Sequence, residues 1–308
     1  MSNSIRHIPV MLNEVLETLS PRDNMVYVDA TFGNGGYSEA ILKKANCKVI
    51  AIDRDPSVKI RAEELKTQFG NRFDFRAGTF GDIEELIEEP VNGIVFDIGV
   101  SSMQLDDDFR GFSFNKKADL DMRMSMDGTS AKDIVNNLSE EELANAIYLY
   151  GEEKKSRQIA HKIAEYRNTK EIETTTELAE IIYKVMPKKF GQIDPATRTF
   201  QALRIMVNDE LGQLKDGLNG ALNCLKAEGR IVVVDFHSLE DRIVKTFFAE
   251  NTAKKVHVSR YKETNVQNDN FPFEFASKAI LPTKEECSTN PRARSAKLRY
   301  AIKRKEQK

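Results

Sequence analysis

Five short apolar runs along the chain predict the strands of one sheet. They are Val26–Ala30, Lys48–Asp53, Phe73–Arg76, Gly93–Ile98 and Arg230–Phe236. The first four alternate with segments whose polar and apolar positions are typical of helices. Strands of a parallel sheet are buried on both faces and joined by helices, so they read as nearly continuous apolar runs. The pattern therefore predicts an α/β fold built on a parallel sheet.

Helical patterns replace this alternation between the fourth and fifth runs. Ser139 and Thr174 each precede an acidic residue by three positions, the spacing of a capping box that starts a helix. A long helix is predicted next, with Asp194 as its N-cap and Pro195 in its first turn. Its apolar residues recur at steps of three or four from Phe200 to Leu225.

These patterns divide the chain into two predicted domains. The sheet domain is formed by residues 1–127 and 201–308. An all-helical domain, residues 128–200, is inserted into it and is expected to recognise the substrate.

Composition narrows the classes of function. The chain has 46 basic and 48 acidic residues and a net charge of −2, which excludes a uniformly basic nucleic-acid coat but permits a local basic patch. Its three cysteines are far apart, which disfavours a disulfide framework and fits a reducing compartment. No apolar run approaches the roughly 20 residues of a membrane span, and the first ten residues lack a signal core. We therefore expect a soluble, cytoplasmic protein.

The C-terminal segment is the basic exception. Asn290–Lys308 carries eight Lys or Arg residues against one acid, Glu306. Leu298, Tyr300 and Ile302 alternate with polar residues, which predicts a final strand with a basic outer face. Such a face suits contact with nucleic-acid phosphates, and it equally suits protection of an exposed sheet edge by charge.

A glycine-rich turn between the first strand and the next helix is a candidate cofactor site. Its glycines are Gly33, Gly35 and Gly36, and Ser38 stands where the dinucleotide fingerprint has its third glycine. Asp53 ends the second strand twenty residues after Gly33, where an acid accepts hydrogen bonds from ribose hydroxyls. The loop and this acid fit any adenosine-containing cofactor, and an ordinary turn followed by a surface Asp is the alternative.

Two further acids narrow the range of cofactors that fit the site. Asp29 precedes the glycine loop and favours S-adenosylmethionine, whose sulfonium and ammonium groups attract carboxylates where a pyrophosphate would not. Asp97 ends the fourth strand, at the edge where open α/β sheets bind ligands. The small and polar residues 99–106 suit a loop at the amino-acid end of the cofactor, or simply a cap for the next helix.

Together these segments resemble the bacterial 16S rRNA (cytosine-N4) methyltransferase family. The resemblance runs from His7 to Arg299, nearly the whole chain. Seven blocks occur in the family's order and are highly specific as a set: Asp29–Gly36, Ala51–Pro56, Asp97–Asp106, Arg110–Phe114, Leu120–Met124, Pro195–Ile205 and Phe236–Arg242.

The resemblance implies a class I, Rossmann-like methyltransferase sheet with an inserted helical domain. It also implies S-adenosylmethionine as methyl donor, 16S rRNA of the small ribosomal subunit as partner, and a decoding-region cytosine as target. By position in the motifs, the cofactor contacts would be Gly35, Gly36, Tyr37, Asp53, Phe80, Asp97 and Gln104.

Three residues depart from the family's usual pattern. Tyr37 and Asp194 stand where the family usually has His, and Met103 stands where it usually has Pro. Tyr37 keeps a hydroxyl for hydrogen bonding, and Asp194 is an equally good helix cap. Met103 loosens a turn beside Gln104.

The best candidate for a catalytic base is His237, which follows the fifth strand at the same sheet edge as Asp97. The alternative is that Glu240 and Asp241, at the start of the next helix, simply satisfy its ring. We expect no metal site, because the spacing of the four histidines is not that of ligands: His7, His161, His237 and His257.

Candidate RNA contacts come from two further blocks. Arg110, Phe112 and Phe114 interleave a cation with aromatics, as in a stacking platform for bases, although alternate Phe residues are also common in cores. Arg198 and Arg204 lie on different sides of the long helix, and Arg198 is the better RNA candidate.

Two other enzyme classes compete with the rRNA methyltransferase. A methyltransferase for an amino group of another RNA or of DNA shares the cofactor site, although the chain lacks the prolines of the DNA enzymes after Asp97. A nicotinamide-dependent oxidoreductase is disfavoured by Ser38.

Overall fold

The computed structural model describes residues 9–101, 104, 107, 109–253 and 271–305. Within these residues seven strands form one sheet: β1 (Val26–Asp29), β2 (Lys48–Asp53), β3 (Phe73–Ala77), β4 (Val91–Asp97), β5 (Leu225–Asp235), β6 (Phe273–Ala276) and β7 (Lys297–Lys303). Their order across the sheet is β3-β2-β1-β4-β5-β7-β6. Strands β1 to β5 are parallel, and β7 runs antiparallel between β5 and β6. The predicted α/β sheet is confirmed.

The helices fall into two groups along the chain. Those that flank the strands are α1 (Leu12–Leu19), α2 (Gly36–Lys44), α3 (Lys59–Phe69), α4 (Ile83–Leu86), α10 (Glu210–Cys224), α11 (Ser238–Glu250) and α12 (Lys284–Thr289). Those between β4 and α10 are α5 (Ala131–Asn137), α6 (Glu140–Gly151), α7 (Ser156–Arg167), α8 (Thr175–Val185) and α9 (Ala196–Asn208). In the described ranges, none is both long and apolar enough to span a membrane.

Helices cover both faces of the sheet. They are needed there because apolar side chains along the strands point alternately to the two faces. Val232 and Val234 of β5 belong to the core beneath α1, α2 and α3. Val233, one residue away, belongs to the opposite core with Leu214 of α10 and Val244 of α11. Successive side chains of a strand point to opposite faces, so an all-apolar strand feeds both cores.

Residues Val100–Glu210 form a second compact unit, and Met1–Gly99 with Leu211–Lys308 form the first. The second unit extends beyond the predicted insert of residues 128–200 at both ends. At its start Phe112, Leu120 and Met122 are buried in a core made by the helices of that unit.

Side-chain caps start two helices of the second unit. The hydroxyl of Ser139 accepts from the backbone N–H of Glu142 at 3.2 Å, which begins α6. The hydroxyl of Thr174 accepts from the N–H of Glu177 at 3.3 Å, which begins α8. Both capping boxes predicted from the sequence are present. Each satisfies a backbone donor that the first turn leaves without a partner.

The single long helix predicted from Asp194 to Leu225 is wrong. Asp209 has a left-handed backbone, with φ of 46°, and separates α9 from α10. The apolar spacing runs through this break because both helices bury a face. No Gly or Pro at the break marks it in the sequence.

The last strand predicted from the sequence is β7, and one of its two alternatives, an exposed sheet edge protected by charge, is corrected. β7 is hydrogen-bonded on both sides, so it is not an edge strand. Lys297 Nζ lies 2.8 Å and Arg299 Nε 2.7 Å from the carboxylate of Asp241. Asp241 lies in the first turn of α11, where an acid interacts favourably with the helix dipole, and the two cations hold its carboxylate in place.

A buried acid in this neighbourhood generates a stability prediction. Asp235, at the end of β5, is fully buried, and neither carboxylate oxygen has a hydrogen-bond partner among the described residues. Burial, with Asp241 and Glu240 nearby, raises the pKa of Asp235 to about 8. Because the folded state binds this proton more tightly than the unfolded chain, the group's contribution to stability is lost as pH rises from about 4 to about 8.

We therefore expect Asp235→Asn to raise Tm by a few degrees at pH 8 and to give a smaller or opposite change at pH 5. Asp241→Asn is the matched control. It leaves Lys297 and Arg299 without their anion and should lower Tm at pH 8. Thermal unfolding of the three proteins at both pH values measures this, and an equal Tm shift for Asp235→Asn at both would contradict the assignment.

Candidate cofactor site and active site

Three acids meet at one edge of the sheet because they end neighbouring parallel strands. Asp29 ends β1, Asp53 ends β2 and Asp97 ends β4. The strand register places Asp29 beside Ala51 on one side and beside Val95 on the other. The carboxyl edge of such a sheet, where the strand order reverses around β1 and β4, is where ligands bind.

Asp29 is wholly buried and only partly satisfied. Its Oδ2 accepts from the Ser38 backbone N–H at 3.1 Å and from the Ser38 hydroxyl at 2.7 Å. Its Oδ1 is buried with no hydrogen-bond partner among the described residues. Burial raises the pKa of Asp29 to about 6, although Ser38 and the backbone of Thr31 oppose the shift. Ser38, which departs from the dinucleotide fingerprint, thus holds the first acid in place.

Asp53 is tied to the glycine loop. Its Oδ2 accepts from the Gly33 N–H at 2.7 Å, and its Oδ1 accepts from the Asp55 N–H at 2.9 Å. Burial raises the pKa of this carboxyl, and the two backbone bonds oppose the shift. A carboxylate oxygen has more than one acceptor site, so each oxygen keeps capacity for a ribose hydroxyl.

Asp97 is the most perturbed acid of the edge. Its backbone N–H donates to the Thr31 hydroxyl at 2.6 Å, which fixes the end of β4 against the glycine loop. Its Oδ1 is buried and has no hydrogen-bond partner among the described residues. Burial, with the negative charges of Asp29 and Glu240, raises the pKa of Asp97 to about 8. An acid in this state favours a cation as neighbour.

The loop glycines are required by space as well as by backbone angle. Gly35 has a φ of 71°, and a Cβ there would lie 2.8 Å from the ring of Phe32. A Cβ on Gly36 would lie 2.2 Å from Cγ of Pro9. Pro9, three residues before α1, therefore packs directly on the first turn of α2.

Tyr37 anchors this N-terminal segment. Its side chain is buried, and its hydroxyl donates to the carbonyl of Val10. The next residue, Met11, donates its N–H to Oε1 of Glu286 at 2.5 Å and has a left-handed φ of 52°. Burial, then the charges of Asp97 and Asp29, raise the pKa of the Tyr37 phenol. The side chain predicted as a cofactor contact thus has its hydroxyl bonded to the protein.

The remaining predicted contacts lie in different places. Phe80 follows β3 in a short turn, half-buried, with its ring centroid 5.9 Å from that of Phe96. Gln104 belongs to the second unit, where its side-chain oxygen accepts from the Ser101 N–H at 3.0 Å. Met103, one of the departures from the family pattern, lies outside the described residues.

His237 is the N-cap of α11. Its Nδ1 accepts from the backbone N–H of Glu240 at 3.4 Å. Its Nε2 lies 3.1 Å from Oε1 of Glu240, close enough for an ion pair, although the angle is not that of a hydrogen bond. Glu240 in turn accepts from the backbone N–H groups of Phe236 and His237. Nδ1 therefore faces the backbone N–H of Glu240, and Nε2 faces the buried carboxylate of the same residue.

Of the two alternatives for Arg110, Phe112 and Phe114, the structure supports the core and not the stacking platform. Phe112 is buried, and the ring centroid of Phe114 lies 5.0 Å from that of Phe200. The guanidinium of Arg110 donates to two backbone carbonyls, at 2.9 and 3.0 Å. The alternating aromatics belong to the core of the second unit.

The two arginines on α9 have different partners. Arg204 forms two hydrogen bonds, both 2.8 Å long, with the buried carboxylate of Glu210. Arg198 remains about half exposed, at 54%, with its guanidinium 3.7 Å from Glu153. Arg198 stays the candidate for an RNA contact.

Residues that hold the acids in place were missed from the sequence. Thr31, Ser38 and Glu240 bond to the edge or lie beside its acids, yet nothing in their spacing marks them. The one usable signal was position: Thr31 and Glu240 lie within motif blocks, and Ser38 lies two residues after the first block.

Comparison with known proteins places this site in a class. The sheet, glycine loop and three edge acids are those of a methyltransferase. A protein-family model described as the MraW methylase family matches residues 4–304, and the chain belongs to that family.

Similar proteins carry names consistent with this family. A Rickettsia massiliae protein named ribosomal RNA small subunit methyltransferase H is 53% identical over 300 residues, covering 96% of this chain and 97% of its own. A Rickettsia felis protein of the same name is 51% identical, covering 96% and 98%. A solved rRNA methylase from Streptococcus thermophilus has a TM-score of 0.40 at 10% identity, covering 96% of this chain and 94% of that one.

The cofactor of the chain is S-adenosylmethionine, and the residues of the site fit it. The fit rests on the buried oxygens of Asp29 and Asp97 that have no partner among the described residues. A ligand with a sulfonium and an ammonium group supplies the positive charge these acids call for, whereas a pyrophosphate would add repulsion. We propose that Asp53 holds the ribose and that Asp97 faces the cationic end.

This assignment predicts the pH dependence of cofactor binding. Because Asp97 must ionise to hold a cation, and its pKa is about 8, affinity should rise as pH increases from 6 to 8 and then level off. Asp97→Asn should weaken binding at least about tenfold at pH 8 and flatten the profile. Calorimetric titration from pH 6 to 9 measures both, and a profile in Asp97→Asn parallel to that of the unaltered protein would contradict the role of Asp97.

The Tyr37 bond yields a second expectation. Tyr37→Phe removes the donor to the Val10 carbonyl, which should cost about 1 kcal/mol of stability and expose the chain near Pro9 to protease. Cofactor affinity should fall less than about tenfold, because the hydroxyl faces the protein. Limited proteolysis and cofactor titration measure the two effects. A large loss of affinity with an unchanged cleavage rate would instead place the phenol in the cofactor pocket.

Proposed function

We propose that the chain transfers a methyl group from S-adenosylmethionine to N4 of a cytosine in the decoding region of 16S rRNA. The coarser activity is that of an S-adenosylmethionine-dependent rRNA methyltransferase. The observation that carries the proposal is the row of three acids at the sheet edge, two of which have a buried oxygen without a described partner. The name and coverage of the relatives support small-subunit rRNA as substrate. The seven motif blocks support cytosine N4 as the target.

Methyl transfer to cytosine N4 depends mainly on how the amine and the methyl group are positioned. The lone pair of cytosine N4 is conjugated with the ring, so the amine is a weak nucleophile. S-adenosylmethionine supplies a methyl group activated by the positive sulfur. Holding the amine in line with that methyl group supplies several kcal/mol, of the roughly 7–11 available from orientation. The protein must also receive an unstacked base, at a cost of about a few kcal/mol.

We propose defined roles for the residues at the edge. Asp53 holds the cofactor ribose, and the glycine loop lets the ligand approach the backbone closely. Asp97, ionised beside a cation, stabilises the positive charge that develops on the amine. Removing the extra proton from the methylated amine is the step for which His237 is the sequence candidate.

The contacts of His237 favour a positioning role over that of a base. A base at Nδ1 would have to release the Glu240 N–H that this atom accepts. Nε2 faces a buried carboxylate instead of open space. The ring therefore fixes the turn between β5 and α11, at the same sheet edge as Asp97.

Replacement of His237 by Asn and by Ala separates the two roles. Asn caps helices well and cannot act as a base at neutral pH, whereas Ala does neither. We expect His237→Asn to keep kcat within about threefold and His237→Ala to lower it about tenfold or more, since a lost cap costs about 1 kcal/mol and loosens the turn. Equal losses in both variants would establish His237 as the base.

The activity itself is tested by methyl transfer followed by nucleoside analysis. Undermethylated small subunits, protein-free 16S rRNA and DNA are each incubated with labelled S-adenosylmethionine. We expect N4-methylcytosine, from one decoding-region position, with small-subunit rRNA alone. Label at another base or atom, or in DNA, would overturn the substrate while keeping the cofactor site.

A further inference from the structure

The connection between α8 and α9 presents an aromatic side chain to solvent. Every residue from 187 to 193 is exposed. Phe190 is fully exposed, at 108% of its reference area, and Ile193 is 81% exposed. Both belong to the second unit, whose other large apolar residues mostly lie in its core. A fully exposed Phe buries no apolar area on folding, so this side chain is available to a binding partner.

The backbone holds Phe190 at the tip of a tight turn. The N–H of Gln192 donates to the carbonyl of Lys189 at 3.3 Å. Gly191, the third residue of this turn, has a φ of 74°, the conformation that a type II turn requires at that position. Phe190 is the second residue, from which a side chain projects outward.

The base of the connection is fixed. Asp194 accepts from the Tyr183 hydroxyl at 3.0 Å and from the Ala196 N–H at 2.9 Å. Lys188 Nζ lies 3.0 Å from the Asp194 carboxylate and 4.3 Å from the centre of the Tyr183 ring. These contacts hold the residue that follows the turn in place. A preorganised turn loses less conformational entropy when it binds a partner through Phe190.

The charge of the connection is positive around the aromatic tip. Lys184, Lys188 and Lys189 are all exposed, and no acid occurs from Lys184 to Ile193. Lys189, directly beside Phe190, is exposed to solvent. Arg198, half exposed, follows in the first turn of α9. An exposed aromatic set among cations is the composition that binds single-stranded nucleic acid by base stacking and phosphate contact.

We propose that the turn Lys189–Gln192 is an RNA-binding element, in which Phe190 stacks on an unpaired base of the substrate and Lys189 contacts the adjoining phosphate. The proposal rests on the proposed function only in identifying this RNA as small-subunit rRNA. With this element the second unit has a candidate RNA contact on its surface. Phe112 and Phe114 cannot serve as that contact, because they pack in the core of the unit. Stacking on an aromatic ring does not distinguish one base from another. The turn would therefore add affinity and help to position the RNA, and the selection of cytosine would lie elsewhere.

Tryptophan fluorescence tests the stacking directly. The chain contains no Trp, so Phe190→Trp introduces a single reporter at the tip of the turn. Stacking on a base should quench its emission when a single-stranded decoding-region RNA fragment is added. Inorganic polyphosphate of equal charge, which has no bases, should leave the emission unchanged. Absence of quenching at RNA concentrations that saturate binding would overturn the proposal.

Binding of the same protein-free RNA fragment to variants of the full chain gives the energetic test. Phe190→Ala should weaken binding about five- to thirtyfold, while Phe190→Trp stays within about twofold of the unaltered chain. Ile60→Ala, at a 72% exposed apolar position of α3, is the matched control and should change nothing. Cofactor affinity should be unchanged in all three variants.

Two outcomes would overturn the stacking role. One is Phe190→Leu binding as tightly as Phe190→Trp, which indicates a general apolar contact. The other is a loss seen with whole subunits but absent with protein-free RNA, which indicates a ribosomal protein as partner. Failure of the proposed function remains distinguishable, because Phe190-dependent RNA binding would then persist in a chain that forms no N4-methylcytosine.

Discussion

Partly unsatisfied negative charge at one edge of the sheet is the constraint on which the site depends. Burying a carboxylate away from water is costly unless hydrogen bonds or a cation compensate it. At this edge the compensation is incomplete, since Asp29 and Asp97 each keep a buried oxygen with no described partner. The raised pKa values of Asp29 and Asp97 result from this incomplete compensation. A cationic cofactor supplies the missing positive charge and favours the ionised form of both acids.

The surrounding structure serves to hold these acids at close range. Parallel strands in register bring the three chain positions together, and backbone N–H groups of the glycine loop fix Asp53. Thr31 and Ser38 fix the other two strand ends. The N-terminal segment then packs on Gly36 and is bonded by Tyr37, so one side of the site is closed by residues far from it in sequence. A preorganised polar site of this kind avoids reorganisation when charge develops during reaction.

The sequence was informative where a local pattern has one physical solution. A strand, a glycine turn and an acid twenty residues on correctly placed Asp53 at the end of β2, and capping boxes marked two helix starts. It failed where tertiary packing decides between local alternatives. Alternating Phe residues suit a platform or a core, and the core of the second unit took Phe112. The break at Asp209 has no local signal, and the exposure of Phe190 is visible only once its neighbours are placed.

The most direct test of the account is a crystal structure of the chain with S-adenosylmethionine bound. The account predicts the cofactor at the carboxyl edge of β1, β2 and β4, with its ribose hydroxyls within hydrogen-bond distance of Asp53 and its cationic end against Asp97. The oxygens of Asp29 and Asp97 that lack a described partner should then be accounted for, directly or through water. A cofactor bound elsewhere, or at this edge with Asp97 still without a cationic neighbour, would contradict it.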